Sequence, residues 1–308
     1  MTALDADTLG SRSTALGYAA LTAQNFTTAT NTYNTAVGFQ AGAAVTTGTI
    51  NTLIGGLAGD ALTTGDSNVA MGYNALSGDT EGDRNVAVGA GALHNQNFTT
   101  TTDSYNVAVG YEAGGSISTG KENTLFGALS GDFLSDADFN TAVGFGSLSG
   151  DALGSRSTAI GYHALVSQNF TTATNANNVA VGMHAASESL TATGLTVVGY
   201  AAGQNISSGS NNTFIGHLSA ANGTVTGTLN TAIGYASIYS LSSGSNNVAL
   251  GRDSGRPGAP GGQVTTQSGQ LLLGDENITN AHIQVSLTVA SDERDKTDFV
   301  DLDLGLDF

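Results

Sequence analysis

The sequence predicts an all-β protein built as a parallel β-solenoid of about 14 coils, elongated along its stacking axis. Three observations carry that prediction. First, a five-residue signature returns 14 times, usually Asn, then Thr or Val, a small residue, an aliphatic residue and Gly. Second, its glycines fall at 17, 38, 55, 72, 89, 110, 127, 144, 161, 182, 199, 216, 234 and 251. Spacings of 21, 17, 17 and 17 therefore nest a short unit inside a 72-residue one, which slips by one residue near its end. A chain with so short a period stacks units that bury their apolar faces against their neighbours. Third, large residues alternate with a small one inside the signature, which is the period of a strand and not of a helix.

Each unit is read from its glycine. The residue four before it is Asn in 11 of 14 units, Ser at Ser13 and Ser157, and Leu at Leu195. The residue three before it is always Thr or Val, and the one directly before is Val, Ile or Leu except at Met71 and Phe126. Between them stands Ala, replaced by Leu53, Leu125, Val197 and Phe214. The glycine permits a bend that a Cβ would obstruct. Three residues later every unit has Ala or Ser, which implies a tight contact inside the coil or between chains. The second half of the unit carries turn signals such as Thr47-Gly48 and Ser208-Gly209. Stacked at strand spacing, the coils form a rod on the order of 65 Å long. The Asn column forms a ladder of side-chain amides along it.

Every 21-residue unit contains Gln-Asn-Phe-Thr-Thr, at 24–28, 96–100 and 168–172. Insertions in a solenoid become loops on one face, often the binding face. Asn25, Phe26, Asn97, Phe98, Asn169 and Phe170 are thus candidate receptor contacts, with a simple bulge as the alternative. From 252 to 270 the period breaks and Pro257 and Pro260 enter, which reads as a linker after a shaft at 1–251. Partly alternating apolar residues then return, which reads as a β stalk at 271–291 shared among chains.

Composition excludes several classes. Only eight basic residues, all scattered, stand against 25 acidic ones, and the net charge is −17. No basic track exists to neutralise phosphates, so no nucleic-acid partner is expected. Without cysteine there is neither a disulfide framework nor a thiolate metal site. No apolar run reaches the roughly 20 residues that span a bilayer, so no membrane insertion is expected, and residues 1–10 do not read as a signal peptide. Gly-Asp pairs end at Asp60, Asp79, Asp132 and Asp151. They lack the glycine-rich nonapeptide of calcium-binding rolls and read as solvated turns. The five histidines show no metal-ligand spacing, and no cofactor is expected. Nor does any catalytic triad, carboxylate pair or phosphate-cradling loop stand out, so the chain does not read as an enzyme.

The Asn-Thr-Ala-Val-Gly repeat resembles those of phage tail fibres and of the head domains of trimeric autotransporter adhesins. The C-terminal residues add Leu272-Leu273-Gly274, Ala281-His282-Ile283-Gln284-Val285-Ser286 and Ser291-Asp292-Glu293-Arg294-Asp295-Lys296. These resemble the opening of the endosialidase-type intramolecular chaperone of phage tail spikes. The resemblance implies a left-handed roll, a homotrimer in a virion tail fibre with other tail proteins as partners, and attachment to host cell-surface polysaccharide. It makes residues 292–308 the start of a chaperone, and Ser291 and Lys296 a self-cleaving pair that cuts after Ser291. An adhesin head and a polysaccharide-degrading spike are the alternative functions.

Overall fold

The computed structural model describes residues 2–280, among which the regular structure is all β and no helix occurs. Fifteen three-residue strands, from Thr14–Leu16 to Leu271–Leu273, pair in parallel in one sheet. Their register aligns one signature on the next, as in Thr35↔Thr52, Ala36↔Leu53 and Val37↔Ile54. Units of 21 residues keep the same register, Val86↔Val107 and Val88↔Val109, so their extra residues lie outside the sheet. The protein is a parallel β-solenoid whose coils are the sequence units.

The alternation has a definite direction. The central small residue of each strand faces the interior, with Ala36, Ala70, Ala87 and Ala108 fully buried. Its larger neighbours face outward, leaving Leu16 67%, Phe126 57% and Leu273 57% exposed. Leucines from the turn after the glycine, such as Leu21, Leu76, Leu93 and Leu148, fill the interior instead. Where the strand itself carries a large central residue, the turn gives way. A Cβ on Gly42 would lie 2.6 Å from Leu53 Cδ1, and one on Gly59 2.8 Å from Leu53 Cδ2. Gly114 and Gly131 flank Leu125 in the same manner, and Gly203 meets Phe214. The irregular central residues are thus one half of a volume exchange that keeps the core at constant density. The Ala or Ser three residues past the glycine also lies inside the coil, buried at Ala41, Ala75, Ser130 and Ser254 alike.

Two constraints set the coil. At Gly38, φ is +144°, and an added Cβ would stand 2.3 Å from the Gly55 carbonyl oxygen of the next coil. No side chain fits between two backbones so close. The buried Asn does the joining. Asn51 Oδ1 accepts the backbone N–H of Asn68 at 2.9 Å, and Asn51 Nδ2 donates to the Gly65 carbonyl at 2.8 Å. The first bond ties one coil to the next, and the second closes its own coil across the far turn. Amide-to-amide bonds do occur, as from Asn247 Nδ2 to Asn230 Oδ1 at 3.0 Å. The expected amide ladder is therefore mainly a ladder of amides clasping backbone.

The break expected at 252–270 is a correction. Those residues fold as a final, longer coil, because Val248–Leu250 pairs with Leu271–Leu273 across 23 residues. Asp253 N–H donates to the Tyr235 carbonyl at 2.8 Å, and Val264 and Leu272 are buried in the core. Apolar residues at the right places outweigh the two prolines, which fall in the turn. The solenoid unit accordingly extends to Glu276, and residues 271–273 belong to it and not to a separate stalk. The rest of the stalk and the chaperone segment, from 281 on, lie outside the described residues.

Replacing Asn68 by Ala tests the clasp. It removes the acceptor of Asn85 N–H (2.9 Å) and the donor to Gly82 O (2.8 Å). Each orphaned buried group costs about 1–3 kcal/mol. The expected result is a lower melting midpoint with faster hydrogen exchange at Asn85 than at Asn230. Unchanged exchange at Asn85 would show that the clasp is incidental.

Candidate functional site

The insertions offer three related loops. In each, the first residue turns inward: Gln24, Gln96 and Gln168 are fully buried. Gln96 Nε2 donates to Asp79 Oδ2 at 2.6 Å, and its Oε1 accepts from Asn106 Nδ2 at 2.8 Å. Asp79 Oδ1 in turn accepts the backbone N–H groups of Gly82 (3.1 Å) and Phe98 (3.0 Å). The same arrangement recurs 72 residues on, where Phe170 N–H reaches Asp151 Oδ1 at 3.1 Å. Asp79 and Asp151 are therefore buried and not the solvated turn residues expected, because three donors replace the water each carboxylate loses.

The insertion phenylalanines follow them in. Phe26, Phe98 and Phe170 are only 6%, 7% and 5% exposed, and a Cβ on Gly154 would lie 2.7 Å from Phe170 Cδ2. As receptor contacts these three are corrected, since a ring packed over a glycine gains more from burial than it retains for a ligand. Asn25, Asn97 and Asn169 remain on the surface. Asn97 Oδ1 accepts from Thr80 Oγ1 at 3.1 Å, so even this side chain helps to pin its loop. Beside the loops, the Arg12 guanidinium lies 5.3 Å over Tyr33 and that of Arg84 5.6 Å over Tyr105, and Arg84 also pairs with Asp103. Ser291 and Lys296 lie outside the described residues.

A second feature was missed in the sequence. The residue directly after the signature glycine stands outward and is aromatic in most coils, as at Tyr18, Phe39, Tyr73, Tyr111, Tyr162 and Tyr235. Where two such rings occupy successive coils they stack along the rod. Tyr18 and Phe39 have centroids 5.4 Å apart and planes at 10°, and His217 and Tyr235 are 5.3 Å apart at 9°. These separations suit offset stacking, because the coil spacing sets them. Tyr162 also stacks on His163, whose pKa is lowered by burial and by neighbouring His184. The signal was present in the sequence as one column of the aligned units.

Asp60 and Asp132, equivalent across the 72-residue period, sit apart from the glutamine clusters. Each has one buried carboxylate oxygen without a hydrogen-bond partner. Burial raises both pKa values, that of Asp132 to about 6 with a smaller contribution from Glu112. Among the described residues no group of three or more His, Cys, Asp or Glu side chains is arranged to hold a metal ion. Comparison with protein-family models, curated proteins and solved structures returns no match.

Since Asp132 holds its proton more firmly when folded, the native chain binds an extra proton between about pH 4 and pH 6. Its stabilising contribution is present below that window and lost as pH rises through it. The Asp132 carboxyl carbon is expected to titrate near pH 6 by NMR. In Asp132→Asn the change in melting temperature between pH 4 and pH 7 should shrink. A titration midpoint near 4 would refute the burial argument.

Proposed function

We propose that the chain is the structural and receptor-binding part of a phage tail fibre, assembled as a homotrimer and attached to host surface polysaccharide. The observation that carries this reading is the outward column of large aliphatic side chains along the fifteen-stranded sheet. Val and Thr stand beside them in the same strands, so the face is a continuous apolar stripe on a chain whose net charge is −17. An apolar patch of that length marks an association surface. A second and third copy of the same chain match it coil for coil, because every copy has the same period. Closure of three chains about this stripe leaves no apolar face uncovered.

The repeat and the C-terminal segment that resemble tail fibres and their chaperones agree with this assembly. A rigid rod stabilised by neighbour contacts is suited to a structural shaft, and three chains with many coils multiply weak contacts to a glycan.

Native mass spectrometry of the expressed chain is expected to give three copies. Val109→Lys combined with Ile160→Lys places charges on the outward face and is expected to yield monomers that keep their β-sheet circular dichroism. A wild-type chain that remains a folded monomer would overturn the trimeric fibre reading.

A further inference from the structure

The aromatic column is interrupted at three places in its first half, by Gly56, Ala90 and Ala128. Each interruption lies between two aromatic coils, so the order from Phe39 to Phe145 alternates ring and gap. Around Ala90 the gap is an open cavity of about 210 Å³. Tyr73 stands on one side and Tyr111 on the other, and Ala90 with Gly91 forms the floor. Asn74, His94 and Glu112 supply polar groups at the rim. The Gly56 gap is less open, since a Cβ placed there would already lie 3.6 Å from Tyr73 Cδ2.

The geometry of the uninterrupted stacks sizes this slot. Adjacent rings in the column sit 5.0–5.7 Å apart with planes within 19° of parallel. Skipping one coil leaves two ring-bearing coils about 10 Å apart, twice the strand spacing. One six-membered ring fills that space with its two faces against two aromatic faces. The cavity is smaller than the roughly 300–1,000 Å³ that encloses a drug-sized ligand, which again fits a single ring.

We infer that the Tyr73–Ala90–Tyr111 slot binds one neutral pyranose ring of a surface polysaccharide, stacked between the two tyrosines. This rests on the glycan-adhesion reading above and gives it a site. An aromatic face carries negative potential and attracts the C–H groups that line a sugar face. The hydroxyls at the sugar's edge require acceptors and donors at the rim, which the Glu112 carboxylate and the Asn74 amide provide. Glu112 lies beside the Tyr111 hydroxyl and holds its proton more firmly. His94 is already committed: Nδ1 donates to the Gly91 carbonyl at 2.9 Å, and Nε2 accepts from Asn95 Nδ2 at 3.0 Å. Its ring is held in place as a wall of the slot. Charge selects the ligand further. With Glu112 at the mouth and −17 on the chain, uronic and sialic acids and phosphorylated rings are repelled.

Ala90→Tyr should fill the slot and complete the stack, as Tyr162 does beside Phe145. Tyr111→Ala removes one wall from an exposed position, and circular dichroism melting controls for folding. Saturation-transfer NMR with the methyl glycosides of glucose, galactose and N-acetylglucosamine reads the slot. Binding to immobilised bacterial surface polysaccharides reads adhesion. The expected result is sugar C–H saturation in the wild type and an affinity about tenfold lower in both variants, the scale of one lost ring contact. Polysaccharide binding that is equally strong in Ala90→Tyr and Tyr111→Ala would overturn the slot and leave the adhesive reading standing. Saturation that is lost in the variants, with no polysaccharide retained by the wild type, would support the slot and refute adhesion. No saturation in the wild type with any of the three glycosides would overturn the slot.

Discussion

The rest of the structure depends on one buried amide per coil. Its oxygen takes a backbone N–H from the next coil, and its nitrogen takes a carbonyl from the far turn of its own. A coil can therefore neither open nor slide without stranding buried polar groups away from their partners. The exceptions show how narrow the requirement is. At Ser157 the shorter side chain cannot reach across, and buried Gln168 stands in, its Nε2 3.3 Å from Ser157 Oγ. At Leu195 the backbone N–H still donates to Asn178 Oδ1 at 3.0 Å, but the coil offers nothing onward. Asn212 therefore donates both to Gly209 at 2.9 Å, the carbonyl that the Leu195 coil cannot clasp for itself, and to Gly227 in its own far turn at 2.8 Å.

A coil closed this tightly has little room inside. The strand contributes only a methyl group at most levels, and the turn leucines occupy the remainder. The large β-branched residues that favour extended backbone must then stand on the outer face. The same economy of interior space explains why apolar surface accumulates along one side of the rod, where association with like chains can bury it. The apolar face is a consequence of the narrow core as much as an adaptation to a partner.

The period, the strands, the glycine bend and the Asn column were legible because each is a local pattern repeated in register. What could not be read locally was direction. Alternation in Thr35-Ala36-Val37 is the same whether the alanine or the valine faces inward, and only the width of the closed coil decides. Phe98 was misread for a related reason, and Gln96 beside it behaves in the same way. An insertion is expected to project, but these two fold back onto Asp79, which belongs to the preceding coil. The residue before each Asn is held at positive φ, and in most coils it is neither Gly nor Asn, as at Tyr33, Ile50 and Phe139. That conformation costs roughly 1–2 kcal/mol for an ordinary residue. Nothing in the side chain announces it, and the inter-coil backbone bonds, such as Ile50 N–H to Thr32 O at 2.7 Å, hold it in place.

The aromatic column follows a different logic from the core. A residue directly after the signature glycine faces outward and carries none of the clasping bonds, so its identity can change without altering the coil. Gly56, Tyr73, Ala90 and Tyr111 occupy equivalent places on nearly identical backbone, and only their side chains differ. On a scaffold whose spacing is set by backbone pairing, choosing a ring or a methyl group at each level is enough to build a stack or a slot. The spacing of those choices, counted in coils, then fixes the thickness of what fits between them. Recognition on such a rod is encoded across units and not within any one of them. A window of consecutive residues therefore shows the coil clearly and the outward column hardly at all.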